Sequence, residues 1–189
     1  MEHFQDIVYS NRKFNEEHLE TAEYDGCSFM NCDLSAANLS SSRFLDCEFS
    51  NCNLSMANLD KTMLSGIKFK ASKMFALRFE SCNPFTMSFS FEDCQLNLST
   101  FYECKVKKTV FRRSVLHEVD FSGADLTSSV FEECDLRDAK FQQTILRGSD
   151  FSSSYNFIID PELNQVRHAR FSLAGLPGLL NKYQIELTR

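Results

Sequence analysis

Apolar residues recur at every fifth position along most of this chain. One run extends from Phe4 to Phe79, and a second run with the same spacing extends from Phe91 to Phe151. We refer to these residues as core positions. An amphipathic helix would instead place apolar residues three and four apart, and a half-buried strand would alternate strictly between apolar and polar residues. The chain is therefore expected to turn a corner every five residues.

The residue two places before each core position also follows a rule. From Ala22 to Ser149 this small position is occupied almost throughout by Ala, Ser, Thr or Cys. The exceptions are Ile67, Leu77, Phe89 and Val119. A position restricted to small side chains, beside one restricted to bulky side chains, indicates that both point into a narrow core. The other three positions of each unit are mostly polar and are expected to face water.

Four sides of five residues close a square coil of about 20 residues, and successive coils stack as short parallel strands about 4.8 Å apart. The repeat then gives about seven coils and a rod roughly 33 Å long. Residues 20 apart should lie above one another. This rule predicts one aromatic column of Phe91, Phe111, Phe131 and Phe151, and an opposite column of Phe101, Phe121 and Phe141. Stacked rings bury a large area per residue, which suits so narrow a core.

Several five-residue units share a common form. They are Cys32-Asp33-Leu34-Ser35-Ala36, Ala37-Asn38-Leu39-Ser40-Ser41, Ala57-Asn58-Leu59-Asp60-Lys61 and Ala124-Asp125-Leu126-Thr127-Ser128. These units resemble the repeats of the pentapeptide-repeat family, and the resemblance covers most of the chain. It implies an all-β fold, a right-handed quadrilateral parallel β-helix, followed by a short C-terminal helix and strand. We divide the chain into an N-terminal cap over 1–21, a coil over 22–154 with an interruption at 80–90, and a capping or dimerisation tail over 155–189.

Eight cysteines would ordinarily suggest disulfide bonds, a metal site or a redox role. Seven of them occupy small positions, and Cys82 does so too if the first run continues by one more step. A free Cys behaves as a small hydrophobic residue, which is what this position requires. A zinc site needs four convergent ligands, and no His lies near the pairs Cys27/Cys32 and Cys47/Cys52. We therefore predict that the cysteines pack in the core and that the protein holds no metal or cofactor.

Nothing in the sequence marks a catalytic centre. The four His residues have no repeat-independent Ser, Cys or acid arranged around them, and the six glycines form no phosphate-binding loop. The chain shows no basic-then-apolar signal segment and no run of 18 apolar residues. We therefore expect a cytoplasmic protein that is not an enzyme and has no membrane partner.

The interruption at 80–90 contains two residues more than the five-residue count allows. Pro84 cannot donate to a strand ladder, so the coil is expected to open there. One interpretation is a tolerated insertion that only kinks the rod. The other is a recognition loop that presents Phe85 or Met87 to a partner.

The repeat is expected to stop after Phe151, and Asp160 with Pro161 predicts the start of a short helical turn. An apolar helix stripe and an alternating final strand follow. This tail could cover the open end of the coil, or pair with its own copy across a twofold axis. The candidate dimerisation residues are Leu176, Leu179, Leu180, Tyr183, Ile185 and Leu187.

The tail is similar to the C-terminus of bacterial pentapeptide-repeat proteins that protect DNA gyrase. The similar segments are Ile159-Asp160-Pro161-Glu162, Ala169-Arg170-Phe171-Ser172-Leu173, Leu179-Leu180 and Ile185-Glu186-Leu187. The resemblance is greatest to the albicidin-resistance branch and weaker to quinolone- and microcin-resistance relatives. It implies a homodimer whose rod imitates duplex DNA and occupies the DNA-binding saddle of a type II topoisomerase, DNA gyrase or topoisomerase IV. Gly175, Pro177 and Gly178 stand where relatives carry better helix formers, so we expect the helix to start late.

Charge tests the idea of mimicry. Duplex DNA would carry about 19 negative charges over the length of this rod, whereas the net charge of the chain is -6. Many outward charges 20 apart have opposite signs and are expected to pair, for about 0 to 1 kcal/mol each. The expected ladders include Glu92, Arg112 and Glu132; Asp93 and Arg113; Lys105 and Asp125; and Glu48 and Lys68. Mimicry would then rest on shape and on a few unpaired acids.

The candidate acids for partner binding are Glu118 and Asp138, which stack with the same sign, together with Asp135. A solvated acidic face is the alternative interpretation. The basic run from Lys105 to Arg113 lies among acids, so direct binding of nucleic acid is not expected. The sequence thus supports two hypotheses, a DNA-mimicking dimer that protects gyrase or topoisomerase IV, and a general β-helical scaffold with another cytoplasmic partner.

Overall fold

The computed structural model describes residues 1–85, 87–186 and 188. The chain forms a parallel β-solenoid of about eight turns that ends in one short helix, as the five-residue period predicts. Within the described residues the strands are β1 (Glu2–Gln5), β2 (Val8–Ser10), β3 (Ala22–Asp25), β4 (Ser28–Met30), β5 (Arg43–Leu45), β6 (Glu48–Ser50), β7 (Met63–Ser65), β8 (Ile67–Lys70), β9 (Phe89–Glu92), β10 (Val110–Arg112), β11 (Val130–Glu132), β12 (Asp150–Phe151) and β13 (Arg170–Phe171).

The strands pair in parallel along two sides of the coil. One sheet has the order β1-β3-β5-β7, and the other has the order β13-β12-β11-β10-β9-β8-β6-β4-β2. Phe111 lies opposite both Phe91 and Phe131, so the register is 20 residues per coil. Isolated bridges, such as Asn38 with Asn58, keep the same spacing on the other sides. The predicted stacking of residues 20 apart is confirmed.

Each side of the coil ends in a corner made by the two residues after the core position, which we call the first and second corner positions. The second corner residue has a left-handed backbone almost throughout, with φ of 53° at Ala36 and 54° at Asn51. An Asp or Asn just before the core position closes many corners. Asn53, for example, accepts the N–H of Ser55 on its Oδ1 at 3.2 Å. This side-chain turn explains the recurrent Asp or Asn before Leu in the repeat units.

Stacked aromatic rings fill much of the core. The centroids of Phe91 and Phe111 are 5.0 Å apart, and those of Phe111 and Phe131 are 4.8 Å apart, with nearly parallel rings. Phe101 and Phe121 stack at 5.2 Å in the second predicted column. The two columns meet edge to face, since the rings of Phe101 and Phe111 are 6.0 Å apart at an angle of 89°. Offset stacking along the rod and edge contacts across it are both favourable ring geometries.

The small position is defined by hydrogen bonding as well as by size. The Sγ of Cys47 donates to the carbonyl of Tyr24 at 3.3 Å, and the Oγ of Ser149 donates to the carbonyl of Leu126 at 2.7 Å. All eight cysteines are free and buried, as predicted. Burial raises the pKa of Cys47 to about 12, so its thiol stays protonated. Cys, Ser and Thr can replace one another here because each is small and each can donate to the same backbone carbonyl.

The segment 1–21, which the sequence predicts to be a cap, has the geometry of a coil. β1 pairs with β3, and β2 pairs with β4, in the standard 20-residue register. The small positions of this segment are occupied by Glu2, Ile7, Arg12 and Glu17, and all four are exposed. The size rule therefore does not apply to the outermost coil, which is why the sequence pattern is lost there.

On the side formed by β8 and β9, the coil continues across the interruption at 80–90. The N–H of Ser88 donates to the carbonyl of Leu64 at 3.1 Å. β8 then pairs with β9 with Ile67 opposite Phe89, a spacing two residues longer than elsewhere. The ladder on this side is therefore continuous despite the two extra residues, whereas the sheet β1-β3-β5-β7 has no further strand beyond β7 among the described residues.

The coil also continues beyond Phe151, where the sequence predicts that the repeat stops. β13 pairs with β12, and the rings of Phe151 and Phe171 stack at 5.3 Å. Val166 and Phe171 lie on the continued five-residue count. Phe157 and Ile159, which precede these two residues in the chain, are buried but lie off that count. The five-residue pattern is not recognisable in this part of the sequence, because two of the four core residues of the last coil are shifted from the expected positions.

The tail ends in helix α1 (Leu176–Leu180), flanked by single 3-10 turns. The helix does not start late, since Pro177 lies in its first turn, where proline is tolerated. Gly178 is explained by close packing, because a Cβ there would lie 2.1 Å from the carbonyl oxygen of Phe157. The carbonyl of Gly178 accepts the N–H of Ile159 at 3.1 Å. The glycine therefore lets the helix dock directly on the last coil.

Two predicted elements of the tail take another form. Asp160 and Pro161 begin a turn closed by Leu163, whose N–H donates to the carbonyl of Asp160 at 3.2 Å, and not a helix. Ile185 lies outside any strand, and Leu187 lies outside the described residues.

The part of the chain that the structure describes contains no helix with the length and hydrophobicity needed to span a bilayer.

Candidate protein-interaction surface

Glu118 and Asp138 occupy the second corner position of successive coils on one edge of the rod. Both side chains are exposed, and their φ angles are 56° and 58°. The N–H of Glu118 donates to the carbonyl of Arg137 at 2.9 Å, which holds the two corners one coil apart. Among the described residues, neither carboxylate takes part in an ion pair. The structure therefore places two unpaired acids in one column.

Asp135, which the sequence groups with these acids, is not free. One carboxylate oxygen lies 2.8 Å from Nε2 of His117, and the other accepts from the side chain of Asn156 at 2.8 Å and the N–H of Arg137 at 3.2 Å. Burial alone would raise the pKa of Asp135, but these partners outweigh it and lower the pKa. Asp135 precedes a core position, where an Asp closes its own corner, so its carboxylate is engaged within the coil.

Charged side chains elsewhere pair between coils, as predicted. Nε of Arg112 lies 2.8 Å from Oε2 of Glu132, and Nε of Arg113 lies 2.8 Å from Oδ1 of Asp93. Both pairs are partly exposed and screened by water, so they contribute little to stability. They do cancel charge locally, which leaves unpaired acids more prominent.

Two of the predicted pairs form with different lysines. Asp125 pairs with Lys107 at 3.1 Å rather than with Lys105, and Glu48 pairs with Lys70 at 2.9 Å rather than with the lysine two residues earlier. A lysine side chain is long enough to reach the next coil from a corner position. The 20-residue spacing therefore predicts which charges share a face, but not which pair.

The two apolar residues predicted at the interruption differ in availability. Phe85 lies in the turn after Pro84 and is 92% exposed. Met87 is partly buried and packs against the core, because the chain re-enters the coil there. Of these two residues, Phe85 is therefore the exposed one, whereas Met87 packs partly against the core.

The predicted dimerisation residues also divide into two groups. Leu179 packs against the core and closes the end of the coil, and Leu180 is half-buried. Leu176 is 41% exposed, Tyr183 is 52% exposed and Ile185 is 53% exposed. The helix thus covers the coil end with one side and leaves an apolar side uncovered.

Ion pairs and a hydrogen bond connect the C-terminal tail to the last coil. Nζ of Lys182 lies 2.9 Å from Oδ1 of Asp160 and also contacts Glu162. The hydroxyl of Tyr183 donates to Glu162 at 2.8 Å. The hydrogen bond to Lys182 is the main reason why the pKa values of Asp160 and Glu162 are lowered. The Asp-Pro-Glu segment therefore serves as the docking point of the tail.

The sequence analysis missed three exposed apolar residues in the middle of the rod. Met56 and Leu98 occupy second corner positions and Phe75 a first corner position, on the same edge as Glu118 and Asp138. Their exposed fractions are 60% for Met56, 46% for Phe75 and 44% for Leu98. The available signal was three large apolar residues at corner positions that are otherwise mostly small or polar.

Residues 1–85, 87–186 and 188 contain no group of three His, Cys, Asp or Glu side chains that could hold a metal ion. Some surface depressions are lined by outward residues of neighbouring coils, and others lie beside the C-terminal tail. One such depression, lined by Met56, Asn58, Asp60, Ala76 and Arg78 among others, borders the apolar corner residues described above. The geometry favours contact with a macromolecule along an edge over enclosure of a small ligand.

Comparison with known proteins supports the repeat. Residues 27–66 match a family model of pentapeptide repeats in eight copies, and residues 72–151 match a model of a pentapeptide repeat region. No curated protein sequence matches significantly.

Two solved structures of trypsin-treated QnrB1, a plasmid-mediated fluoroquinolone resistance protein, have a similar fold. One is 16% identical, with a TM-score of 0.63 and coverage of 97% of this chain and 99% of that chain. The other is 17% identical, with a TM-score of 0.51 and coverage of 98% and 100%. Since these family models together match more than half of the chain, the chain belongs to the pentapeptide-repeat family.

Proposed function

We propose that this protein is a non-enzymatic, DNA-mimicking dimer that binds a type II topoisomerase, DNA gyrase or topoisomerase IV, in the cytoplasm and protects it from a poison. The observation that carries this proposal is the column of two unpaired acids, Glu118 and Asp138, on one edge of a rigid rod. Like charges held next to each other oppose folding, so a binding role is a reason to keep them. The tail is also similar to that of gyrase-protecting proteins, above all those of the albicidin-resistance branch, and this similarity supports the same proposal.

The protein imitates DNA through shape and through the position of a few charges, and not through total charge. Eight coil spacings give a rod of about 38 Å, over which duplex DNA would carry about 22 negative charges. The net charge of -6 is far smaller. A protein surface that binds phosphates is cationic, and two adjacent carboxylates can occupy part of it. Binding of the protein to DNA itself is not part of this proposal.

The uncovered apolar side of the tail supports a homodimer. Leu173 is 86% exposed, and Leu176, Tyr183 and Ile185 are exposed beside it. Pairing with a second copy would cover this surface and double the length of the rod. Sedimentation should show a dimer in the parent protein and a monomer in a Leu176→Ser, Ile185→Ser variant. Val8→Ser, an exposed change at the other end of the rod, should leave the dimer intact.

A supercoiling assay tests the proposal. Purified protein should restore supercoiling by gyrase, or decatenation by topoisomerase IV, in the presence of albicidin or a quinolone. The charge reversal Glu118→Lys with Asp138→Lys should weaken this effect. Glu133→Lys provides a matched control, because Glu133 is also an exposed acid with a left-handed backbone but lies on another corner.

A parent protein that changes neither enzyme, with or without a poison, would refute this function. The result would favour the second hypothesis, a general interaction scaffold, which the exposed Phe85 loop also supports. If Glu133→Lys weakened the effect about half as much as the double reversal, in proportion to the change in charge, the acids would act only through total charge.

A further inference from the structure

The apolar corner residues Met56, Phe75 and Leu98 lie in three successive coils on one edge. The N–H of Met56 donates to the carbonyl of Phe75 at 2.9 Å, so the first two coils are direct neighbours. The N–H of Ala76 donates to the carbonyl of Asn97 at 3.0 Å, which places Leu98 on the coil after that. With coils about 4.8 Å apart, the three side chains extend over about 10 Å along the rod.

The side chains of these residues lie outside the packed core of the coil. All three are substantially exposed and none belongs to the buried core. Met56 and Leu98 also have left-handed backbones, with φ of 56° and 62°, a conformation that favours Asn and Gly over bulky side chains. A contiguous exposed apolar patch bordered by polar residues is typical of a protein-binding site.

The same edge leads directly into the acidic column. The second corner positions, read coil by coil, are occupied by Met56, Ala76, Leu98, Glu118 and Asp138. Apolar contact is therefore followed, within the next two coils, by two unpaired carboxylates. The complementary surface is an apolar patch of a protein flanked on one side by Lys or Arg.

We propose that this edge, Met56, Phe75 and Leu98 together with the acidic column, is the contact surface for the DNA-binding face of the topoisomerase. This inference rests on the proposed function. A DNA-binding face supplies the cations that the acids require, because it must neutralise phosphates. The apolar residues then supply affinity, while the acids supply orientation and rapid association. DNA has no counterpart to the apolar part, so the protein is more than a charge mimic.

The test measures the affinity of the full-length protein for purified gyrase and topoisomerase IV. The test variant is Met56→Asn, Phe75→Ser, Leu98→Asn. Asn tolerates the left-handed backbone, and Ser35 and Ser55 already occupy the position equivalent to Phe75 in earlier coils, so the variant should fold. It should bind at least about tenfold more weakly and keep the salt dependence of the parent. Glu118→Gln with Asp138→Asn should instead reduce the salt dependence.

Met30→Ser is the matched control, because Met30 is 44% exposed at a first corner position on another edge. A second readout replaces Phe75 with the photo-crosslinking residue p-benzoylphenylalanine, which should crosslink to the topoisomerase, whereas the same replacement of Met30 should not. If the parent binds and the apolar variant binds equally well, this inference is overturned while the proposed function stands. If the parent binds neither enzyme, the proposed function fails and this inference fails with it.

Discussion

For the replacement of Gly178 by Ala, helix propensity and packing predict opposite effects on the stability of the tail. Ala is favoured over Gly within a helix by about 1 kcal/mol, so propensity alone predicts a more stable tail. The structure predicts the opposite, because the new Cβ would lie 2.1 Å from the carbonyl oxygen of Phe157. A backbone oxygen cannot rotate away as a side chain could. The helix must therefore move outward from the last coil.

The cost of this movement can be worked from the contacts that are lost. The N–H of Ile159 would lose its acceptor, the carbonyl of Gly178 at 3.1 Å, and a buried donor without a partner costs about 1–3 kcal/mol. Leu179 would lose part of its contact with the core, for about 1 kcal/mol. The loss exceeds the gain in propensity by about 2 kcal/mol, or about 30-fold in the local opening equilibrium.

Hydrogen exchange of the Ile159 amide measures this equilibrium. The amide should exchange about 30-fold faster in Gly178→Ala, while the amide of Val130, which donates to Thr109 in the middle of the rod, should not change. Asn181→Ala is the control, because it raises helix propensity at an exposed site next to the helix. Exchange of the Ile159 amide that is unchanged or slower in Gly178→Ala would refute the packing argument.

Three further predictions concern the coil itself. Phe111→Ala should lower the free energy of unfolding, measured by denaturant titration, by about 3–5 kcal/mol, because Phe111 is fully buried between two stacked rings. A loss below about 1 kcal/mol would contradict the column. The eight buried thiols should resist labelling by maleimide at pH 8 until the protein is unfolded. The reason is that burial keeps them protonated, as it does for Cys134, whose pKa it raises to about 12. Rapid labelling of the native protein would argue against this core. The pKa of Asp135 is lowered in the folded state, so its stabilising effect is present above about pH 4 and is lost as the pH falls through the folded pKa. Asp135→Asn should therefore destabilise the protein at pH 7 but much less at pH 3, and an equal difference at both pH values would exclude this origin.

The five-residue period was sufficient to predict the coil, its register and both aromatic columns, because each follows from the two inward positions of every unit. The period did not predict the first and the last coil, and the reason differs between the two. In the first coil the small positions are exposed, so Glu2 and Arg12 are tolerated there. In the last coil Phe157 and Ile159 fill the core off the count, although Val166 and Phe171 return to it.

The candidate site was predictable only in part, because binding depends on which outward side chains remain free. Sequence spacing placed Glu118 and Asp138 in one column, and the structure agrees. It could not show that the carboxylate of Asp135 is used to close a corner, or that Met87 turns inward while Phe85 stays exposed. Those outcomes depend on side-chain direction within one unit, which the period does not specify.

The two inward positions of every unit are restricted by the core, so recognition in this fold must depend on the outward positions. A change at an outward position alters the surface while the coil keeps its shape, and stacking turns such changes into columns about 4.8 Å apart. Most charged columns of this chain cancel between neighbouring coils, as Arg112 does with Glu132. The second corner positions from Met56 to Asp138 differ, because apolar residues and then two acids without an ion-pair partner follow one another there. Loss of binding from changes confined to this edge would therefore report on recognition, whereas loss from core changes such as Phe111→Ala would report only on folding.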